Sequence, residues 1–522
     1  MDSLSDRITA ISPVFEQKGW VYRQLGIEPV INCGGVRSTF GGSNPLPDVL
    51  DAMNAAAEAF VDLDELAEAA GRRLSALTGA EWGIVTSCST AGMALATAAC
   101  AVGHDPELMA QLPDTRGLPN KVVIPEGQRF AYDFVFRLVG MQVVTVSTPE
   151  ELRTTLDGSV ALICVLGRAT DQSDLNLGDI VTVARKKGVP VLVDAAAQTP
   201  ARPDPWLAQG ADLVVYAGGK FVRGPQSTGY LLGREDLCRA AWLNGPPHQA
   251  FGRGMKLGKE EIVGALVALE FFLDRRDPNA EEQSMLDRLR SVSSAFEDAS
   301  WAETKIVNSS AGWMAPRLRI AWDRTVIHVT SDDVRVAMSE ARPRIHIHDF
   351  WSTATSILID PFNLRDDEAP LVGQALRAFL DNAAGFQEPG DPEPIEDVTG
   401  SWDTVVSLLT GDARHKLTLS MTDGSISGQH ETRHSSGTIT GSIQNRKVRL
   451  QARHPAEPAA IYYTFEGIVD GAVMTGKVTL GAATKEHFGA VFLGQFGEVP
   501  WRAERSRGEA GSRQTSTTEA IA

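Results

Sequence analysis

The chain has 522 residues, 43% of them apolar, enough for roughly three or four domains with buried cores. Its 49 Lys and Arg against 66 Asp and Glu leave a net charge of −17, and such a surface repels a phosphate backbone, which argues against general nucleic-acid binding. The first residues show no basic segment followed by an apolar core, no stretch approaches the roughly 18 apolar residues of a membrane span, and the five cysteines lack metal-type spacing, so a soluble, cytoplasmic protein with reduced thiols is expected.

After an N-terminal arm, 1–29, a large domain is expected over 30–277. Apolar residues at helical spacing from Pro47 to Leu77 predict a helix or broken helix pair. Strands are then predicted at Gly83–Thr86, Lys121–Ile124, Val143–Val146, Val160–Val165, Val189–Asp194, Asp212–Tyr216 and Thr228–Leu232. Helices are predicted between them at Ala91–Ala101, Asp133–Val139, Gly178–Lys187 and Asp204–Ala208. This alternation is the pattern of an α/β fold with a mostly parallel sheet sandwiched by helices. A helix over Lys259–Arg275 leads to a small α+β domain, 278–385, with helices near Glu281–Phe296 and Leu364–Ala383 and strands near Ala315–Trp322 and Pro343–His348.

The segment FQEPGDPEPIED ends regular structure, because its prolines and carboxylates favour an extended linker, 386–397. Beyond it the apolar period changes to two, with strands predicted at Val405–Leu409, Lys416–Met421, Gly437–Ile443, Lys447–Ala452, Ile461–Ile468 and Val473–Leu480. A C-terminal antiparallel β-barrel or sandwich, 398–505, is therefore expected, followed by a disordered tail, 506–522.

One segment carries chemistry. Asp194 ends an apolar strand, and Lys220 follows the next strand in a glycine-rich turn, at the sheet edge where open α/β folds bind ligands. An aldehyde cofactor needs such a pair: a lysine to form an imine, and a carboxylate to keep a pyridine nitrogen protonated. Pyridoxal 5′-phosphate fits, with Ala196 as the floor under the ring. Thr86, Ser87, Ser89 and Thr90 lie between a strand and a helix start, where free amide N–H groups favour an anion. Arg37 and Arg223 are candidates to hold a substrate carboxylate in a bidentate pair.

The blocks NCGGVRSTFGGSNPLP, TSCSTAGMALATAAC, PEGQRFAYDFVFRLVG, VLVDAAAQTP, GGKFVRGPQSTGYLLGR and GRGMKLGKEEIVGALVALE resemble, in that order, the selenocysteine synthase-related branch of fold-type-I pyridoxal phosphate enzymes. Within it they are most similar to the D-glucosaminate-6-phosphate ammonia-lyase-like members, over about residues 20 to 385. The resemblance implies that Lys220 is the imine lysine, Asp194 the partner of the ring nitrogen, and Ser89, Thr90, Ala91 and Gly92 the phosphate turn. Ala196 and Gln198 complete the expected cofactor contacts. Arg253, Lys256 and Lys259 match a basic block that the resemblance places near the substrate mouth or a partner subunit's phosphate site. Three positions depart from the pattern. Ala217 stands where a serine is frequent, Cys88 where glycine is usual, and Gln128 where histidine is common.

The expected reaction begins when a freed Lys220 removes the α-proton of an amino acid or amino sugar acid. Loss of a β-substituent then gives ammonia-lyase chemistry, return of the proton gives racemisation or epimerisation, and addition of a nucleophile gives β-replacement. A vestigial site carrying a ligand-binding β-module is the non-enzymatic alternative. The resemblance also implies a homodimer or higher homo-oligomer. His346, His348 and Asp349 form one possible metal cluster and His430 with His434 another, but histidines so placed are more often hydrogen-bonded core residues, and no metal is expected.

Overall fold

The computed structural model describes residues 19–172, 174–308, 315–323, 325–384, 396–444, 446–456, 459–484 and 496–506. The expected arm up to residue 18, the linker up to 395, the tail from 507 and the side chains of His348 and Asp349 lie outside these residues. The chain divides into two compact units, 1–388 and 389–522. The 30–277 and 278–385 regions thus fall within one unit.

The first unit is built on a seven-stranded sheet in the order Trp82–Thr86, Gly229–Gly233, Leu213–Ala217, Val191–Asp194, Val160–Leu166, Lys121–Pro125, Gln142–Val146. All pairings are parallel except those of Gly229–Gly233, which is antiparallel to both neighbours. Every residue of Val160–Leu166 is buried, as a strand covered on both faces requires. One helix layer includes Leu63–Thr78, Leu177–Lys187 and Lys259–Glu270; the other includes Cys88–Val102 and Glu235–Leu243. Leu177–Lys187 starts where the Asn176 side chain accepts the Asp179 N–H at 2.9 Å, and ends at Gly188 with φ 68°. The helical stretch predicted from Pro47 is two helices, Pro47–Ala57 and Leu63–Thr78, the second capped by Asp62.

Val30–Cys33 belongs to a different sheet from the one its position suggested. It pairs in parallel with Arg344–Ile347, at the edge of a five-stranded sheet that continues through Ser356–Ile359, Arg317–Trp322 and Ala302–Val307. Ile31 and Cys33 are fully buried against this second core, which explains the pairing: the sequence supplies two inward apolar side chains that the large sheet has no place for.

The second unit is a closed antiparallel barrel of eight strands: Gly400–Leu408, Gly411–Thr422, Ser425–Glu431, Ser436–Gln444, Lys447–Ala456, Ala459–Asp470, Val473–Thr484 and Glu498–Arg505. Trp402, Phe465 and Trp501 fill much of its interior. Two strands were not anticipated. Ser425–Glu431 carries Gly428 at an inward position, where a Cβ would lie 1.9 Å from the Thr418 carbonyl oxygen, so glycine permits the close strand approach while weakening the alternation signal. Glu498–Arg505 contains Pro500, which argues against a strand by sequence alone. Closure removes the exposed edges that a six-stranded sandwich would leave.

Candidate active site

The carboxyl ends of Trp82–Thr86, Val191–Asp194 and Leu213–Ala217 lie on one edge of the large sheet, and the candidate groups gather there. The Asp194 carboxylate is 6% exposed and accepts the Ala196 N–H at 2.9 Å. Lys220 Nζ donates to the Ala196 carbonyl at 3.0 Å. The acid and the amine thus reach the same residue from two strand ends. Burial raises the Asp194 carboxyl above its ordinary value, opposed by the Ala196 hydrogen bond and by the charges of Lys220 and Arg168. Burial lowers the Lys220 amine, opposed by Asp194 and reinforced by Arg168 and Arg37.

The turn bearing Lys220 is pinned from several sides. Gly218 N–H donates to Thr228 at 2.8 Å, and the Ser43 hydroxyl lies 2.7 Å from the Lys220 carbonyl. A Cβ on Gly219 would stand 2.4 Å from Gln226 Cα, so this tight return requires glycine.

At the neighbouring strand end, Cys88 opens the Cys88–Val102 helix with φ 74°, a left-handed conformation that suits glycine, and its side chain is exposed. Gly229 passes under this turn so closely that a Cβ would lie 2.5 Å from the Cys88 carbonyl carbon and 2.6 Å from Ser89 N. Of the four hydroxyls expected to face an anion, two are turned to backbone: Thr86 donates to Cys88 at 2.8 Å and Ser87 to Met255 at 3.0 Å. The Ser89 and Thr90 hydroxyls have no protein partner among the described residues, and Ala217 offers none. Ala91 and Gly92 are buried behind them in the first turns of the helix.

Other predicted residues are placed differently. Arg223, a candidate for a substrate carboxylate, is engaged by the chain itself. Its guanidinium donates to the Phe362 carbonyl at 2.7 Å and covers the Phe362 ring at 4.5 Å, so it fastens the two sheets of this unit. Lys259 bonds Ala56 at 2.6 Å and pairs with Glu260, holding two helices together. Arg253 and the exposed Lys256 line a cavity together with Thr86 and Ser87. Gln128 is fully buried, its Oε1 accepting the Leu166 N–H at 2.9 Å and its amide donating to Ala169 at 3.4 Å. It therefore braces the turn after Val160–Leu166 instead of offering a free ring contact. Sequence reasoning missed Arg168, in that same turn, although a basic residue just past the carboxyl end of an all-apolar strand was a readable signal.

His346 stacks on Phe40 with ring centres 3.8 Å apart, and burial, with the Arg37 charge, pushes it down to about 4. His430 does not meet His434; its ring nitrogens lie against His415 and His454. No three His, Cys, Asp or Glu side chains are grouped to hold a metal among the described residues.

The residues present fit pyridoxal phosphate. The Gln198 Oε1 is buried without a hydrogen-bond partner beside Gly167 and the Asp194 backbone, a vacant acceptor at the expected ring position. Two hydroxyls without a protein partner among the described residues stand at the helix start, and Asp194 and Lys220 both reach Ala196. Sheet order and site together define a fold-type-I pyridoxal phosphate enzyme.

Comparison with known proteins agrees. The chain is 30% identical over 377 residues to D-glucosaminate-6-phosphate ammonia lyase of Salmonella typhimurium, spanning 70% of this chain and 99% of the relative. It is also 30% identical over 393 residues to a 5′-C-glycyluridine monooxygenase-decarboxylase of a Streptomyces species, spanning 72% of this chain and 94% of that one. A solved D-glucosaminate-6-phosphate ammonia-lyase structure superposes with a TM-score of 0.63 at 30% identity, covering 70% of this chain and 99% of that one. No family model matches. The chain belongs to the D-glucosaminate-6-phosphate ammonia-lyase family, and its cofactor is pyridoxal 5′-phosphate.

Proposed function

We propose that this enzyme is a lyase that removes ammonia from an amino acid or amino sugar acid by β-elimination. The observation that carries the reading is the meeting of the Asp194 carboxylate and the Lys220 amine on Ala196, 2.9 and 3.0 Å from its backbone N and O. In this reading Lys220 holds the cofactor aldehyde, Asp194 the ring nitrogen, Ser89 to Gly92 the phosphate, and Ala196 and Gln198 the ring between them. Pyridoxal phosphate, bound there, supplies a sink for the electron pair left on the substrate α-carbon.

The remaining chemistry belongs to the chain. Burial and the Arg168 and Arg37 charges keep a freed Lys220 amine neutral at a pH where an exposed lysine is protonated, so Nζ is able to take the α-proton. The Asp194 charge acts on that amine in the opposite sense and favours the positive charge it acquires. Arg37, whose charge lowers Lys220 from the loop before Ser43, is the arginine assigned to a substrate carboxylate. Arg253 and Lys256, beside Ser87, suit a second anionic group at the far end of the substrate.

Trp20, Leu25 and Phe60 are apolar side chains 59%, 75% and 99% exposed, of the kind a second copy would cover, and a cytoplasmic homodimer is part of the proposal. A second reading, oxygen-dependent decarboxylation, has support from the equally similar Streptomyces relative. The two are separated by incubating the holoenzyme with phosphorylated and unphosphorylated amino sugar acids while following ammonia, keto acid, dissolved oxygen and carbon dioxide. Ammonia and keto acid in equal amounts without oxygen uptake are expected; oxygen uptake with carbon dioxide release overturns the lyase.

A further inference from the structure

The barrel has a polar layer that an apolar core does not need. Near the end that carries the turns after Leu408, Glu431 and Ala456, four groups join into one string: the Ser435 hydroxyl lies 2.7 Å from His454 Nδ1, His454 Nε2 lies 2.8 Å from His430 Nδ1, and His430 Nε2 lies 3.0 Å from His415 Nδ1. His430 and His454 are 0% and 1% exposed, and His415 is half-buried. The Tyr463 ring meets all three imidazoles edge-on, at 5.0 to 5.4 Å between centres. The string links strands Gly411–Thr422, Ser425–Glu431 and Lys447–Ala456 across the interior, and its first member belongs to the turn before Ser436.

Such a string works when each imidazole carries one proton. Ser435 then donates to His454, His454 to His430 and His430 to His415, so that His454 and His430 both give and receive a bond and His415 receives one. One extra proton keeps the bonds only as a buried cation. A second sets two N–H donors face to face and breaks a link.

Among the described residues the surroundings provide no compensating charge. Tyr463 is the titratable group that faces the string from Ala459–Asp470. The inward positions of Gly400–Leu408, Ser436–Gln444, Val473–Leu480 and Glu498–Arg505 are apolar, glycine or threonine, apart from Arg505, which covers the Trp402 ring at the opposite end of the barrel. The charged neighbours Arg414, Lys416, Glu431, Arg453 and Glu466 alternate to the outer face, and Arg433 and His434 lie in the turn. Burial pushes His430 down to about 2 and His415 to about 4, each helped by another histidine of the string, and burial lowers His454.

We propose that the Ser435–His454–His430–His415 string is an acid-sensitive latch that keeps this end of the barrel closed while its imidazoles are neutral and releases it when they take up protons. The opened form binds protons with ordinary histidine affinity, so opening is favoured as pH falls below about 6.5, by up to about tenfold per pH unit for each histidine released.

Hydrogen exchange followed by mass spectrometry on the full-length holoenzyme, from pH 7.5 to pH 5 with intrinsic exchange rates corrected, tests this. Protection in peptides from 411–456 is expected to fall more than tenfold per pH unit below about pH 6.5, while peptides of the large sheet hold theirs. His430→Gln removes the central titrating ring; His415→Gln, at the half-buried end, removes one proton site with less risk to folding. Both are expected to flatten the pH slope. Barrel protection that is independent of pH, that falls in step with the large sheet, or that falls as steeply in both variants as in the natural chain overturns the proposal.

Discussion

Replacing Cys88 by glycine is expected to stabilise the first unit. Cys88 sits at φ 74°, where an L side chain costs about 1–2 kcal/mol because its Cβ crowds the following carbonyl. Glycine avoids that cost but gives the unfolded chain more freedom, which returns about 0.4–1 kcal/mol. The thiol is exposed and loses little packing when removed. The net gain is about 0.5–1 kcal/mol, or a rise in melting temperature of about 1–2 °C for a unit of this size. Cys88→Ala is the control, since it also deletes the thiol but keeps the strained Cβ. Calorimetry and urea unfolding of the apoprotein should place Cys88→Gly above the natural chain, and Cys88→Ala below Cys88→Gly by about 1 kcal/mol. If Cys88→Ala proves as stable as Cys88→Gly, the turn is not left-handed at this residue and the explanation for glycine in related sequences fails.

Lys220→Ala should lower turnover at least about a thousandfold while the cofactor still binds without a covalent bond, as read by absorbance and by dialysis. In the natural enzyme the acid limb of the rate profile should lie below the range of an ordinary lysine, because protonation of Nζ as pH falls removes the base; Arg168→Leu, which removes a cation that lowers this amine, should move the limb to higher pH. Gly229→Ala should push the Cys88–Ser89 turn aside and weaken cofactor binding about tenfold or more, with circular dichroism unchanged; unaltered affinity by fluorescence titration would remove that turn from the phosphate site. Gln128→Ala should cost about 2–4 kcal/mol in denaturant unfolding, since it leaves the Leu166 N–H and the Ala169 carbonyl buried without their partner.

The large sheet was legible because its strands announce themselves. Val160–Leu166 and Val191–Asp194 are unbroken apolar runs between helices with their own caps, and all seven strands lie close to where alternation placed them. Asp194 and Lys220 were legible for a related reason: each is a lone charged residue at the end of such a run. Pairings across long stretches of chain were not. Nothing local in Val30–Cys33 says that its partner is Arg344–Ile347, and nothing in GQHETRHSS says that His430 turns to His415 and His454 instead of His434. The contact of Arg223 with Phe362 was not legible either, because its partner lies on a distant stretch of chain. Gln128 was noticed as a departure, but its role is a pair of bonds to a backbone that folds up from residues far along the chain.

The parallel pairing of Val30–Cys33 with Arg344–Ile347 bears on how the protein is made. During synthesis that early strand emerges first and has no sheet to join until the ribosome has released the chain past Ile359, so two buried side chains, Ile31 and Cys33, must wait in solvent or in a chaperone's grip. The large sheet is complete long before, which makes the docking of this strand one of the last acts of folding for the first unit. A lesion there is expected to appear as slow maturation and aggregation of newly made chains while the sheet bearing Lys220 is already in place.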